Sequence, residues 1–147
     1  MTFMQKLRKS AKEKKGFTLI ELIIVIAIIA ILIALIAPNL VKFLSTAKST
    51  SVDANAKTAY TSIQTYLTEN ETAGTTIAPG KYIITSDGTT VTGTISPGTD
   101  TLANIGQYFN AKELKDVTIT ANIAADNTLV DVNWKVTNGK NATYPKQ

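Results

Sequence analysis

An α+β fold is predicted: a long N-terminal helix with a small antiparallel sheet packed on its C-terminal half. Three features carry the prediction. Residues 17–37 form an apolar block of 21 holding a single charge, Glu21. A polar stretch follows in which apolar residues still recur every three or four positions to about residue 70. The remaining residues alternate apolar with polar, mostly Thr, between turn residues.

The apolar block is long enough, at ~1.5 Å per residue, to span roughly 31 Å as a helix, about the hydrocarbon thickness of a bilayer. Ahead of it lie Lys6, Arg8, Lys9, Lys12, Lys14 and Lys15 against Glu13. Positive charge on that flank predicts that the N-terminus stays in the cytoplasm and the C-terminus is exported. This leader also accounts for the chain's basic character. The chain has 15 basic and 11 acidic side chains, and without residues 1–16 there remain nine and ten. The exported part is thus slightly acidic, and its charge does not indicate nucleic-acid binding. An ordinary signal peptide would end in small residues at two alternating positions. Ala27, Ala30, Ala34 and Ala37 are each preceded two residues earlier by Val25, Ile28, Leu32 and Leu35, so none makes such a site. The cut-like feature lies before the block, at Lys14-Lys15-Gly16-Phe17.

The run Gly16-Phe17-Thr18-Leu19-Ile20-Glu21, behind a basic leader and ahead of a Leu/Ile-rich segment, resembles the prepilin signature of the type IV pilin superfamily. The likeness spans roughly residues 12–60. It implies that a prepilin peptidase cuts between Gly16 and Phe17 and methylates the new N-terminus, leaving the helix in place. The domains would then be a removed leader at 1–16, a transmembrane and polymerisation helix at 17–42, and an exported head at 43–147. The implied partners are copies of the same chain, the peptidase, the pilus assembly platform in the membrane, and lipid before assembly.

Glu21 costs roughly 2.5–3.5 kcal/mol at mid-bilayer and less near an interface. Two readings stay open: a carboxylate snorkelling to the cytoplasmic surface, or one paired with a cation. Residues 17–41 contain no Lys or Arg, so the amine freed on Phe17 is the obvious partner. The resemblance implies that this amine belongs to a neighbouring subunit. Ala27, Ala30, Ala34 and Ala37 make a small-residue stripe suited to close helix approach, with Glu21 projecting roughly opposite it at 100° per residue. Pro38 removes the backbone bond to Ala34, so a kink or local opening is expected at 34–38. Where several pilins carry a Gly that lets this helix unwind, the chain has Ala30, which favours helix by roughly 1 kcal/mol.

Beyond Pro38, Val41, Leu44, Ala47, Val52, Ala56, Ala59, Ile63, Tyr66 and Leu67 continue one apolar stripe. Glu69 to Gly74 end it, and a loop closes at Pro79-Gly80. Residues 81–86 and 89–95 flank Asp87-Gly88 as a hairpin. Residues 102–114 suggest a short helix or packed loop. A second hairpin has Val117, Ile119 and Ile123 facing inward on one strand, and Val130, Val132, Trp134 and Val136 on the other. The core is expected where this apolar face meets the stripe of residues 52–67, with Trp134 in it. Asn70-Glu71-Thr72 and Asn141-Ala142-Thr143 match the glycosylation pattern, which in a bacterial-type chain is read as chance.

The composition argues against an enzyme. His and Cys are absent, removing the commonest general base, zinc ligands and any disulfide. No cofactor is indicated, and Asp126 with Asp131 is too thin a cluster for calcium. The missing Cys points toward a Gram-positive, clostridial-type host. Three roles are compatible with the resemblance: a structural subunit of a surface fibre for adhesion, twitching motility or DNA uptake; a pseudopilin of a secretion or competence system; or an anchored binding domain that never polymerises. Secretion pseudopilins usually carry an acidic calcium loop and competence pseudopilins are usually shorter, which favours the fibre subunit.

Overall fold

A computed structural model describes residues 2–6, 16–98 and 100–146. It divides into two compact units, Met1–Phe43 and Leu44–Gln147. Helix α1, Leu19–Thr72, contributes to both. The α+β expectation holds: α1 is followed by strands β1 (Gly80–Ser86), β2 (Val91–Ser96), β3 (Val117–Ile123), β4 (Leu129–Val136) and β5 (Asn141–Tyr144).

In the first unit the helix is apolar on every side, and its residues are exposed throughout. Pro38 lies inside α1, and the helix runs unbroken through it. The expected opening at 34–38 is therefore absent. Proline deletes a single intrahelical bond, and the turns on either side keep theirs. The Asn39 side-chain amide also donates, at a long 3.5 Å, to the Leu35 carbonyl of that turn.

In the second unit the helix is rich in Thr, a modest helix former. Thr50, Thr58, Thr61, Thr65, Thr68 and Thr72 each turn the hydroxyl back onto the carbonyl four residues earlier, at 2.8–3.2 Å. The hydroxyls thus find acceptors without interrupting the helix. Its end is a Schellman motif: Gly74 N–H donates to Glu71 O, Thr75 N–H to Asn70 O, and Gly74 sits at φ 75°, where a side chain would be strained.

The sheet order is β2-β1-β3-β4-β5, with every pairing antiparallel. Its inner face carries Tyr82, Ile84, Ile119, Ala121, Ile123, Val132 and Trp134, buried together with Val52, Ala56, Ala59, Ile63, Tyr66 and Leu67 of α1. Fully burying a side chain such as Ile63 stabilises by roughly 1.5–3 kcal/mol. Residues 100–116 lie over the β2 end of the sheet. They bury Leu102, Ile105 and Leu114 around a short 3-10 turn, Ile105–Tyr108. Gly93 permits that approach, because a Cβ there would sit 2.7 Å from Leu102 Cδ1. Leu102 N–H donates to Gly93 O and Ile95 N–H to Asp100 O, which occupies the outer edge of β2.

Three details differ from the sequence reading. The first hairpin closes through four residues, 87–90, since Ser86 pairs with Val91. Asp87 Oδ1 accepts from both Thr89 and Thr90 N–H at 2.7 Å, making an Asp-stabilised loop in place of the two-residue turn. Val130 faces solvent, 47% exposed, while Leu129 is buried at 8%. The register shifts at Asn122/Ile123, which pair with Asp131 and Leu129, so Val130 is the extra residue of a bulge. Strand β5 was not foreseen. It follows a turn with Asn138 in the left-handed region and covers part of the core with Ala142.

Candidate processing and assembly segment

Gly16, Phe17 and Thr18 precede the helix in non-helical conformation, and α1 begins at Leu19. Thr18 is therefore the N-cap and Glu21 the third helical residue. The Glu21 backbone N–H donates to Thr18 Oγ1 at 3.3 Å, and the Thr18 backbone N–H donates to Glu21 Oε2 at 3.3 Å. This reciprocal pair is a capping box, which satisfies two of the backbone donors that a helix start leaves over. The carboxylate also lies at the positive end of the helix dipole.

The sequence reading sought a cation for Glu21 and overlooked this partner. The signal was present: Thr18-Leu19-Ile20-Glu21 has the T-x-x-E spacing of a capping box ahead of an apolar run. Thr18 therefore joins the segment as a residue that orients Glu21.

Phe17 is 87% exposed, and a Cβ on Gly16 would meet nothing within 4 Å. Packing among the described residues thus explains neither residue. Ala27, Ala30, Ala34 and Ala37 are exposed along α1, and Pro38 follows them. Helix α1 stacks Ala30 and Ala34 on one face, but among the described residues no side-chain hydrogen bond joins one of these candidates to another. Thr18 with Glu21 is the pair the structure brings together. The basic leader, apart from residues 2–6 and 16, lies outside the described residues.

The helix is long and apolar enough to cross a membrane, with a window of mean hydropathy 3.4 that is 0% buried. In the head, the carboxylates considered for calcium have other partners. Asp126 Oδ1 accepts from Thr128 Oγ1 at 2.6 Å and from its N–H at 3.1 Å, which holds the carboxyl below the usual range. Asp131 accepts from the Asn122 side-chain amide at 2.6 Å. No group of three His, Cys, Asp or Glu gathers at metal-binding distance among the described residues.

Residues 11–37 match the family model of the prokaryotic N-terminal methylation motif, which is the type IV prepilin signature. A long N-terminal helix with an antiparallel sheet packed against it is consistent with the α+β pilin fold that accompanies this signature. That signature implies processing by a prepilin peptidase, and with the apolar helix it supports membrane insertion of the precursor. Comparison with curated proteins and with solved structures gave no match to the chain.

Proposed function

We propose that the chain is the structural subunit of a type IV pilus, made as a membrane precursor with its N-terminus inside and polymerised through α1 into a surface fibre. The observation that carries this reading is the contrast between the units. The head completes a core from residues 52–142, whereas the helix of the first unit exposes large apolar residues on all sides. At ~25 cal/mol per Å² of apolar surface, such a helix is tolerated only in lipid or among other helices. A pilus subunit passes from one to the other.

In this reading the prepilin peptidase cuts between Gly16 and Phe17. No described residue crowds Gly16, so its role in this reading is in admitting the backbone to the peptidase. The cut frees an amine on Phe17, next to Thr18. Glu21 then pairs with the Phe17 amine of a neighbouring subunit, exchanging part of its capping role for an ion pair in an apolar bundle. The stripe Ala27, Ala30, Ala34 and Ala37 packs against adjacent helices, and Pro38 marks the end of the bundle segment. Partners are copies of the chain, the peptidase and the membrane assembly platform.

Mass spectrometry of protein sheared from the cell surface tests this. The expected N-terminal peptide begins at Phe17 and carries one methyl group, in fibres that bind antibody to the head. A surface form that starts at Met1, or a processed form found only as membrane monomer, overturns the subunit reading.

A further inference from the structure

The charges of the head are sorted along the chain and then gathered by the fold. Residues 42–57 and 135–146 carry six lysines and one carboxylate, Asp53, whereas residues 58–134 between them carry three lysines and eight carboxylates. Although distant in sequence, the two basic segments meet at the start of the head. Lys140 Nζ donates to Ser45 O and to the Ser45 and Ser49 hydroxyls, Lys146 pairs with Asp53, and the Lys57 ammonium lies 5.9 Å from the centre of the Tyr144 ring. Beside these contacts is an open groove of about 600 Å³ between α1 and the β4–β5 turn. Its polar side chains, Lys48, Ser51, Asn55, Asn138 and Lys140, can all donate hydrogen bonds, and no carboxylate lines it.

We propose that this groove docks on the phosphate headgroups of anionic lipid at the exported face of the membrane, while the chain is held there as a precursor. The inference rests on the membrane-precursor reading above. Position along the chain favours lipid as the occupant. The apolar block ends at Ala37, and Ser45, where the Lys140 ammonium is bound, lies eight residues further on. Eight residues are ~12 Å of helix. A headgroup layer reaches ~5–8 Å beyond the hydrocarbon, and its field extends another ~8 Å at physiological salt. The intervening Leu40, Val41, Phe43 and Leu44 are exposed and apolar, which continues a lipid-compatible surface up to Ser45. The lining matches a phosphodiester, which brings one negative charge and oxygens that only accept. Each lysine held near an anionic leaflet adds to the attraction. A second copy of the chain is the competing occupant, but the carboxylates of residues 58–134 are spread over α1, both hairpins and the 100–116 segment.

Amine footprinting tests this residue by residue on the unaltered full-length chain, reconstituted in vesicles of phosphatidylcholine alone or with about one-third phosphatidylglycerol. A membrane-impermeant acylating reagent reaches only heads on the outer face, and mass spectrometry of the digest gives the rate at each lysine. Lys81 is the reference, exposed and at the opposite end of the strands from Lys135 and the turn that carries Lys140. An anionic surface keeps nearby amines protonated, so acylation of Lys48 and Lys140 relative to Lys81 should slow roughly threefold or more with phosphatidylglycerol and recover in ~0.5 M salt. Lys48→Gln, at an exposed side chain, should lessen the slowing at Lys140 roughly twofold, because the two amines share a headgroup. Equal rates in the two lipids overturn the proposal. Undiminished slowing of Lys140 in Lys48→Gln means that the surface potential acts alone, and overturns the groove as a docking site. Equal slowing by inorganic phosphate over phosphatidylcholine overturns the assignment to lipid. Slowing that grows with protein density in phosphatidylcholine gives the groove to a second copy, and overturns it too. None of these results bears on the subunit reading, which the sheared-fibre measurement decides separately.

Discussion

Glu21 has two duties that different substitutions separate. Gln at this position keeps the capping geometry, since Glu and Gln both serve at the third helical residue, and loses the charge. Val loses both. In the proposed filament Glu21→Val leaves the Phe17 amine unpaired in an apolar bundle, and breaking one side of such a pair costs roughly 3–5 kcal/mol. At ~1.4 kcal/mol per tenfold, incorporation should fall by roughly two to three and a half decades. Glu21→Gln should fall less. Thr18→Ala removes only the cap, worth ~1 kcal/mol, and should reduce fibre far less than Glu21→Val. Sheared fibre yield, with precursor and processed forms blotted in parallel, measures all three. Wild-type fibre from normally cut Glu21→Val would leave Glu21 as a snorkelling residue. Asp87 offers a pH test in the head. The Thr90 and Thr89 N–H groups hold its carboxyl below the usual range. A carboxyl depressed on folding adds stability above its unfolded pKa and loses it as pH falls through the folded one. Acidification below about pH 4 should therefore destabilise the head, and Asp87→Ala should flatten that part of the melting-temperature profile.

At the scale of elements, the bulge in β4 decides which of two adjacent apolar residues is structural. Leu129→Ala deletes buried methyl groups and should cost about 2–5 kcal/mol. Val130→Ala trims an exposed side chain and should stay within about 0.5 kcal/mol. Equal losses in thermal unfolding by circular dichroism would mean that the register is different. Gly93 marks the second constraint. Gly93→Val would drive its Cβ to 2.7 Å from Leu102 Cδ1, displacing the segment that occupies the outer edge of β2. The variant should melt at a lower temperature and be cleaved sooner by protease within residues 100–116. Strand β5 is held by more than its ladder. Lys140 Nζ donates to Ser45 O and to the Ser45 and Ser49 hydroxyls at 2.6–2.9 Å, and Lys146 pairs with Asp53 at 2.8 Å. Each contact is exposed and individually weak.

For the whole molecule, the division into units predicts separable behaviour. The core members lie between Val52 and Ala142, so a chain starting at Lys42 retains them and loses the exposed apolar segment. It should be a soluble monomer with helix and sheet signals by circular dichroism and a single cooperative melt. Ordered fibres from this chain would locate assembly in the head, against the proposed role of α1.

The sequence alone determined the elements whose signals are local. The apolar block, the helical stripe at 52–67, the alternation of β1 to β4 and the T-x-x-E spacing at Thr18 and Glu21 depend on nearest neighbours along the chain. Periods of 3.6 and 2 report those directly. Asn138-Gly139 was an equally local signal for the β4–β5 turn, missed because the four-residue strand after it shows too little alternation to stand out. Tertiary structure decided what depends on residues distant in sequence. Leu129 displaces Val130 from the core because β4 must keep register with β3 across a bulge. Gly93 is required because Leu102 folds back over it. The Trp134 N–H is buried without an acceptor among the described residues, because what surrounds it comes from α1 and the 102–114 segment, both distant in sequence. No local pattern encodes these, since each is a packing compromise among surfaces that meet only when the chain is folded.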